Sequence, residues 1–210
     1  MDYITPTFTT PPWCKEVNLQ YSLGKTNGLA KVTQEGSISL ARFVAVMLKR
    51  PREGTLSAGD YSAAPDSAQK RDKGAFSWFS LAQYRVPHRN SENWLGTNAA
   101  VLDLDASHGI EKGAKFSFTA DALCERLADF RFIALPTHSY TDEAPRWRVI
   151  IPLSETLTDR EEYGAVAGHL SGLLDNYVDQ RSLLPEQLWY VMSTPKGEWN
   201  NRVSRIVVGS

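Results

Sequence analysis

The chain has 210 residues, 42% apolar and 10% aromatic, with 23 Lys and Arg against 24 Asp and Glu and a net charge of −1. That length suits one substantial core, or a core with a smaller lobe, and no run of about 18 apolar residues offers a membrane span. The near balance of charge excludes a whole-molecule field that would gather nucleic acid from a distance.

Residues 1–16 contain Pro6, Pro11, Pro12 and Trp13 and predict an extended arm. They lack the basic-then-apolar order of a secretion signal, so a cytoplasmic location is expected. Cys14 and Cys124 stand alone, without zinc or disulfide spacing. Asn18 to Leu23 predicts a strand and Gly24-Lys-Thr-Asn-Gly28 a turn, because the upstream glycine of a phosphate-binding loop is missing. Ile38 to Leu48 predicts a buried helix, capped by Ser37 or Ser39 and ended by Lys49-Arg-Pro51. Glu53 to Gly74, rich in Gly, Ser, Ala, Pro and charge, predicts a long loop of the kind that is functional or mobile. It ends in Lys70-Arg-Asp-Lys73, just before the aromatic stretch Phe76 to Tyr84 and then Arg85, His88 and Arg89. Basic residues interleaved with rings suit a single strand, with charges on phosphates and rings under bases. Lys70, Arg71, Lys73, Arg85 and Arg89 are therefore candidate nucleic-acid-binding residues; the equal alternative is core aromatics beside a solvated basic loop.

Ala99-Ala-Val-Leu-Asp-Leu-Asp-Ala106 is a short apolar run, strand-like in length, that ends in two carboxylates one residue apart. Alternation puts Asp103 and Asp105 on one face, where they repel unless a cation sits between them, as in oxygen-ligand sites for Mg²⁺ or Mn²⁺. A Gly/Lys turn follows from His108 to Lys115, then a helix capped by Thr119 and running through Phe130, and a strand at Arg131 to Leu135. A polar connection, Thr137 to Pro145, leads to a strand at Arg146 to Ile151. Thr158 with Glu161 reads as a capping box opening a helix to about Asn176. Gln187 to Met192 predicts another strand, and Val203 to Val208 a last one at an edge.

The expected fold is α+β. Residues 99–210 form a split βαβ (ferredoxin/RRM-like) catalytic core and residues 1–98 a smaller N-terminal α/β lobe, together one domain. In that topology the first and third strands are central, the fourth flanks the first, both helices cover one face, and the other face is open. Asp103 and Asp105 would lie mid-sheet on the open face, beside Arg146 and Arg148 of the adjacent strand. Asp179 falls near the end of the sheet where the first strand finishes. The connection containing His138 is expected toward the start of the first strand.

From Ala99 to Pro195 the chain resembles the archaeo-eukaryotic primase superfamily, in its primase-polymerase branch of plasmid and phage replication proteins. The likeness rests on Leu102-Asp-Leu-Asp105, on Thr137-His138-Ser139 followed by Pro145 to Ser154, and on Val178-Asp-Gln-Arg-Ser182 followed by Leu188 to Pro195. The resemblance implies Asp103, Asp105 and Asp179 as catalytic carboxylates holding two Mg²⁺ or Mn²⁺ ions, with Asp175 as the rival to Asp179. It implies His138 and Ser139 at the phosphates of a nucleoside triphosphate, supported by Arg146 and Arg148. The implied activity is DNA-templated nucleotidyl transfer on a single-stranded template and primer. A helicase or accessory primase subunit would act in trans, and no membrane is involved. The chain lacks the zinc-module cysteines of larger members and ends soon after the catalytic-type region, so primer extension is the firmer expectation than priming. The competing readings are a catalytically inactive single-stranded nucleic-acid-binding replication module and, third, a metal-dependent nuclease or sugar-nucleotide transferase.

Overall fold

Prolines and threonines at the start give way to a single helical turn, α1 (Trp13–Glu16), where the arm was expected, and it buries Cys14. The structure is a computed structural model that describes residues 9–25, 30–49, 52–73, 76–104 and 118–209. The strands β1 (Asn18–Gly24) and β2 (Gln34–Ser39) form an antiparallel hairpin. Ser39 then caps α2 (Leu40–Leu48) by accepting the Arg42 N–H.

Residues 53–73 are not the loop that their composition predicts. They form β3 (Glu53–Ser57), α3 (Ala58–Ala63), capped by Ser57, and α4 (Asp66–Lys73). These helices are short and mostly solvated, and α4 buries only Asp72, so they carry no apolar stripe that periodicity could detect. Beyond them lie β4 (Trp78–Ser80), β5 (Ala82–Tyr84), β6 (Trp94–Leu104), α5 (Ala120–Arg126), β7 (Phe132–Pro136) and β8 (Trp147–Leu157). The chain continues with α6 (Arg160–Leu173), a 3-10 turn (Gln180–Leu183), β9 (Trp189–Tyr190), β10 (Thr194–Lys196), α7 (Trp199–Val203) and β11 (Val207–Gly209). Thr119 caps α5 as expected. The α6 cap is Asp159, whose carboxylate accepts the N–H groups of Glu161 and Glu162, in place of the expected Thr158 box.

Among the described residues three sheets appear, ordered β2-β1-β4-β9, β10-β3 and β11-β7-β8-β6-β5. In the five-stranded sheet β8 lies between β6 and β7 and runs antiparallel to both, the order expected for the first three strands of the core. The expected fourth strand does not flank β6. Of Gln187 to Met192 only Trp189–Tyr190 is strand, and it pairs with β4 in another sheet. The place beside β6 is taken by β5, except at its end, where Leu104 bridges Val178. The mixed α+β class therefore stands, while the sheets are shared by early and late parts of the chain: β9 pairs with β4, and β10 with β3. No helix among the described residues is long and apolar enough to cross a membrane.

Alternate residues of the five-stranded sheet enter two cores. Ala100, Leu102, Leu104, Ala134 and Val149 pack with Leu123 and Leu127 of the α5 region and Leu170 and Leu174 of the α6 region. Ala99, Val101, Ile133, Leu135 and Ile150 pack instead with Leu19, Phe43, Phe79, Leu81, Trp189 and Trp199. The face expected to be open is thus covered along most of its length. A strand buried on both faces reads as continuous apolar sequence, which is why Ala99 to Leu104 shows no alternation before Asp103.

Gly24 pairs with Trp78 across β1 and β4, and a Cβ there would overlap the buried indole. Gly24→Ala should therefore cost about 1–3 kcal/mol of stability, read as a lower urea midpoint. Gly36→Ala, whose Cβ would meet Tyr21 at an ordinary 3.5 Å, should stay near wild type.

Candidate functional site

Asp103 follows Val101 on the covered face, but it stands where β6 leaves the core. Its register partner on β8 is Arg148. The two form a fork, Arg148 Nε to Oδ1 at 2.7 Å and Nη2 to Oδ2 at 2.9 Å, while Nη1 donates to the Tyr190 carbonyl at 2.7 Å. This bidentate geometry is the strongest form of carboxylate pairing. The backbone of Asp103 is held as well: its N–H donates to Ser182 Oγ at 3.0 Å, and its carbonyl accepts the Asp179 N–H at 2.8 Å. The Asp179 carboxylate caps the 3-10 turn by accepting the Arg181 N–H. Asp103 and Asp179, far apart in sequence, are thus brought to one point. Asp105 lies outside the described residues. Asp175, the rival carboxylate, is committed elsewhere, in an ion pair of 2.9 Å with Arg126 of α5.

Both carboxylates line a cleft of about 540 Å³ together with Lys70, Lys73, Arg146, Arg148 and Arg181. Among the described residues five cations against two carboxylates line it, an electropositive balance that the chain as a whole lacks. Trp189 and Tyr190 add aromatic wall. The connection that bears His138 and Ser139 opens on this cleft rather than toward the start of β6. Strand direction is the reason: β6 and β7 run the same way with β8 antiparallel between them, so Leu135, Arg148 and Asp103 stand level and the chain leaves β7 at the Asp103 end.

His138 is 5% exposed in its side chain; Nδ1 is hydrogen-bonded, while Nε2 lies in ion-pair range of a carboxylate without a hydrogen bond to it. Nδ1 lies 3.0 Å from Ser193 Oγ, Nε2 faces Asp72 Oδ2 at 3.3 Å, and the Tyr61 ring packs on it at 4.8 Å. Burial lowers the His138 pKa to about 4 against the opposing pull of Asp72. The imidazole is therefore neutral near pH 7. Nδ1 and the Ser193 hydroxyl share one hydrogen bond, in which the ring tautomer sets which of the two donates. Ser139 Oγ pairs with Tyr61 Oη at 2.9 Å. Burial raises the Tyr61 pKa, so that hydroxyl keeps its proton.

The basic residues proposed to grip nucleic acid are divided by the fold. Lys70 and Lys73 line the cleft, Arg71 lies beside Gly54 and Thr55 on another side of α4, Arg85 is exposed, and Arg89 donates to the Glu186 carbonyl at 2.9 Å. Trp78, Phe79 and Tyr84 are core residues, so these three rings take the structural alternative and are not a stacking surface. Sequence reasoning missed Asp72, Ser193 and Arg181. Arg181 stands inside the Val178 to Ser182 motif and could have been read from it; Asp72 sits in a polar run where nothing distinguishes a buried carboxylate from a solvated one.

As metal ligands, Asp103 and Asp179 offer the hard oxygen donors that Mg²⁺ and Mn²⁺ take. Among the described residues no group of three or more His, Cys, Asp or Glu suited to a metal occurs, and Arg148 occupies both oxygens of Asp103. A comparison with family models matches residues 15–203 to the VapE N-terminal domain. No curated protein and no solved structure matches the chain.

The neutral His138 makes stability depend on pH. Unfolded, a histidine takes its proton near pH 6.5; folded, this one does so only near 4, so the unfolded state binds more protons between those values. Stability should be complete above about pH 6.5 and fall on acidification, by about 2 kcal/mol between pH 7 and pH 5. Urea titrations at the two pH values measure the slope, and His138→Gln should flatten it.

Proposed function

The chain belongs to the family of VapE N-terminal domains, and we propose that it is a primase-polymerase, a DNA-templated nucleotidyltransferase that works in the cytoplasm in plasmid or phage replication. The observation that carries this reading is the meeting of Asp103 and Asp179 with Lys70, Lys73, Arg146, Arg148 and Arg181 in one cleft. Nucleoside triphosphates and the backbone of a template or primer are polyanions, and a surplus of cations favours both. The order of motifs that resembles primase-polymerases supports it from the sequence side, since Leu102 to Leu104, Thr137 to Ser139 and Val178 to Ser182 all reach this end of the sheet or its approaches.

On this reading Asp103, Asp105 and Asp179 hold Mg²⁺ or Mn²⁺, which would supply neutralisation of the charge that develops in phosphoryl transfer. The remaining work falls to the protein's own side chains. Lys70 and Lys73 from α4, with Arg146 and Arg181, hold the phosphates, and Tyr190 offers a ring to a base. His138 and Ser139 support the phosphate end as a neutral, hydrogen-bonded wall rather than as charges. Arg148 has to loosen its fork for a divalent ion to reach Asp103. A helicase or accessory primase subunit in trans would complete priming.

The Arg148 fork is also the observation that favours the second reading, a catalytically inactive single-stranded nucleic-acid-binding replication module. An Asp103 already neutralised by a guanidinium does not repel phosphate, and it has no electrostatic need of a metal.

Primer extension on a single-stranded template with Mg²⁺ or Mn²⁺, beside a lane without primer, decides between the two. Asp179→Asn keeps a capping oxygen, so it should leave stability within about 0.5 kcal/mol while lowering incorporation about a thousandfold. Asp103→Asn should also abolish incorporation, but it should cost about 1–3 kcal/mol of stability because it leaves Arg148 without its counter-charge. Single-stranded DNA binding without incorporation by the wild type under either metal would replace the enzyme with the binding module.

A further inference from the structure

Helix α4 has the composition of solvated surface, and its one buried residue is a carboxylate, Asp72. That side chain is 2% exposed. A charge so placed is tolerated only when hydrogen bonds replace its water. Oδ1 accepts the Thr55 N–H at 2.6 Å, the Thr55 hydroxyl at 2.8 Å and the Leu56 N–H at 3.4 Å, while Oδ2 faces His138 Nε2. Burial pushes the carboxyl's pKa up, but the Thr55 and Leu56 donors outweigh it and hold the group below its ordinary range, so it is ionised. Gly54 makes room for it: a Cβ there would overlap the Asp72 carboxylate. Through His138 the attachment extends to Ser193, the residue before β10, and β10 in turn pairs with β3. One carboxylate therefore joins α4 to β3 and to two of the connections that border the cleft.

Lys70 and Lys73 lie on either side of that anchor in sequence and line the cleft. Spaced three apart, they share a helix face. We propose that Asp72 is a positioning residue for this cationic wall: by docking α4 on β3 and His138, its carboxylate sets Lys70 and Lys73 where they meet the phosphates of a polyanionic ligand. The inference rests on the reading of the cleft as a phosphate-binding site. Asp72 itself touches no ligand.

The sign of the effect separates this role from plain electrostatics. Removing a carboxylate near a cationic cleft raises its potential and should tighten anion binding. Loss of the anchor should weaken it. Inorganic tripolyphosphate, titrated calorimetrically into the full chain at low salt without divalent metal, reads the difference. Asp72→Asn and Gly54→Ala should each weaken binding at least tenfold, and neither should weaken it further in a Lys70→Gln/Lys73→Gln background. Where Asp72→Asn does not fold, Gly54→Ala and Thr55→Val carry the test, since neither alters charge. A parallel arm with oligothymidylate tells backbone phosphates from nucleotide phosphates; a fall in either arm supports the proposal. Unchanged or tighter binding in both arms overturns it, as does a loss that persists in the double-lysine background. A wild type that binds neither probe overturns the cleft reading itself, and the positioning role falls with it.

Discussion

A strand packed on both faces can carry a charged side chain only where it leaves the core, and that constraint on β6 organises the molecule. Ala99 to Leu102 are at most 2% exposed, feeding alternately into the two cores, and the first charge on the strand comes at its exit. Asp103 there needs a counter-charge, and antiparallel register with β8 supplies Arg148 directly opposite. The guanidinium then reaches on to the Tyr190 carbonyl, which draws β9 to the same point. From the other side the 3-10 turn clasps the strand end through Ser182 and Asp179. A cleft between these segments follows from satisfying one strand terminus.

The charges at the cleft are unlike those on the surface. The ion pairs Arg126 with Asp175 and Arg205 with Asp142 join side chains each more than a third exposed, and solvent screens such pairs to little net worth. Asp103 with Arg148 is 28% and 14% exposed and doubly hydrogen-bonded, so breaking it by removing one partner is the costly event rather than its formation being a large gain. Asp72 is the more buried case, and its donors come from the backbone of β3 as well as from a side chain. Backbone donors are fixed by the strand itself. They make the α4 anchor part of the fold rather than a chance surface contact, and the two lysines of α4 line the same cleft as three arginines.

Much of the element order was legible because its signals are local. The strands β1, β7 and β8, the helix α2 with a serine cap and the α5 start at Thr119 all follow from apolar runs, caps and turn residues, whereas the strand expected over Val203 to Val208 is only Val207–Gly209, because Val203 ends α7. The juxtaposition of Asp103 with Asp179 was legible too, from motif order on an assumed sheet. Residues 53–73 were not, since helices of six and eight residues that bury a single side chain each leave no periodic trace. Nor was the fate of Gln187 to Met192: an apolar run announces a strand but not which sheet edge will take it.

The sequence by itself determined the mixed α+β class, the apolar run of β6 and the carboxylate near its end, because propensity, patterning and capping act over a few neighbouring residues. Tertiary structure alone decided that the second face of the sheet is covered, that Arg148 neutralises Asp103, that His138 is neutral between Asp72 and Ser193, and that Lys70 and Lys73 face the cleft while Arg71, Arg85 and Arg89 do not. The reason is physical. Counter-charge, desolvation and the direction of a side chain depend on which distant segments meet, and pairs such as 72 with 138 or 103 with 148 become neighbours only when the sheets close.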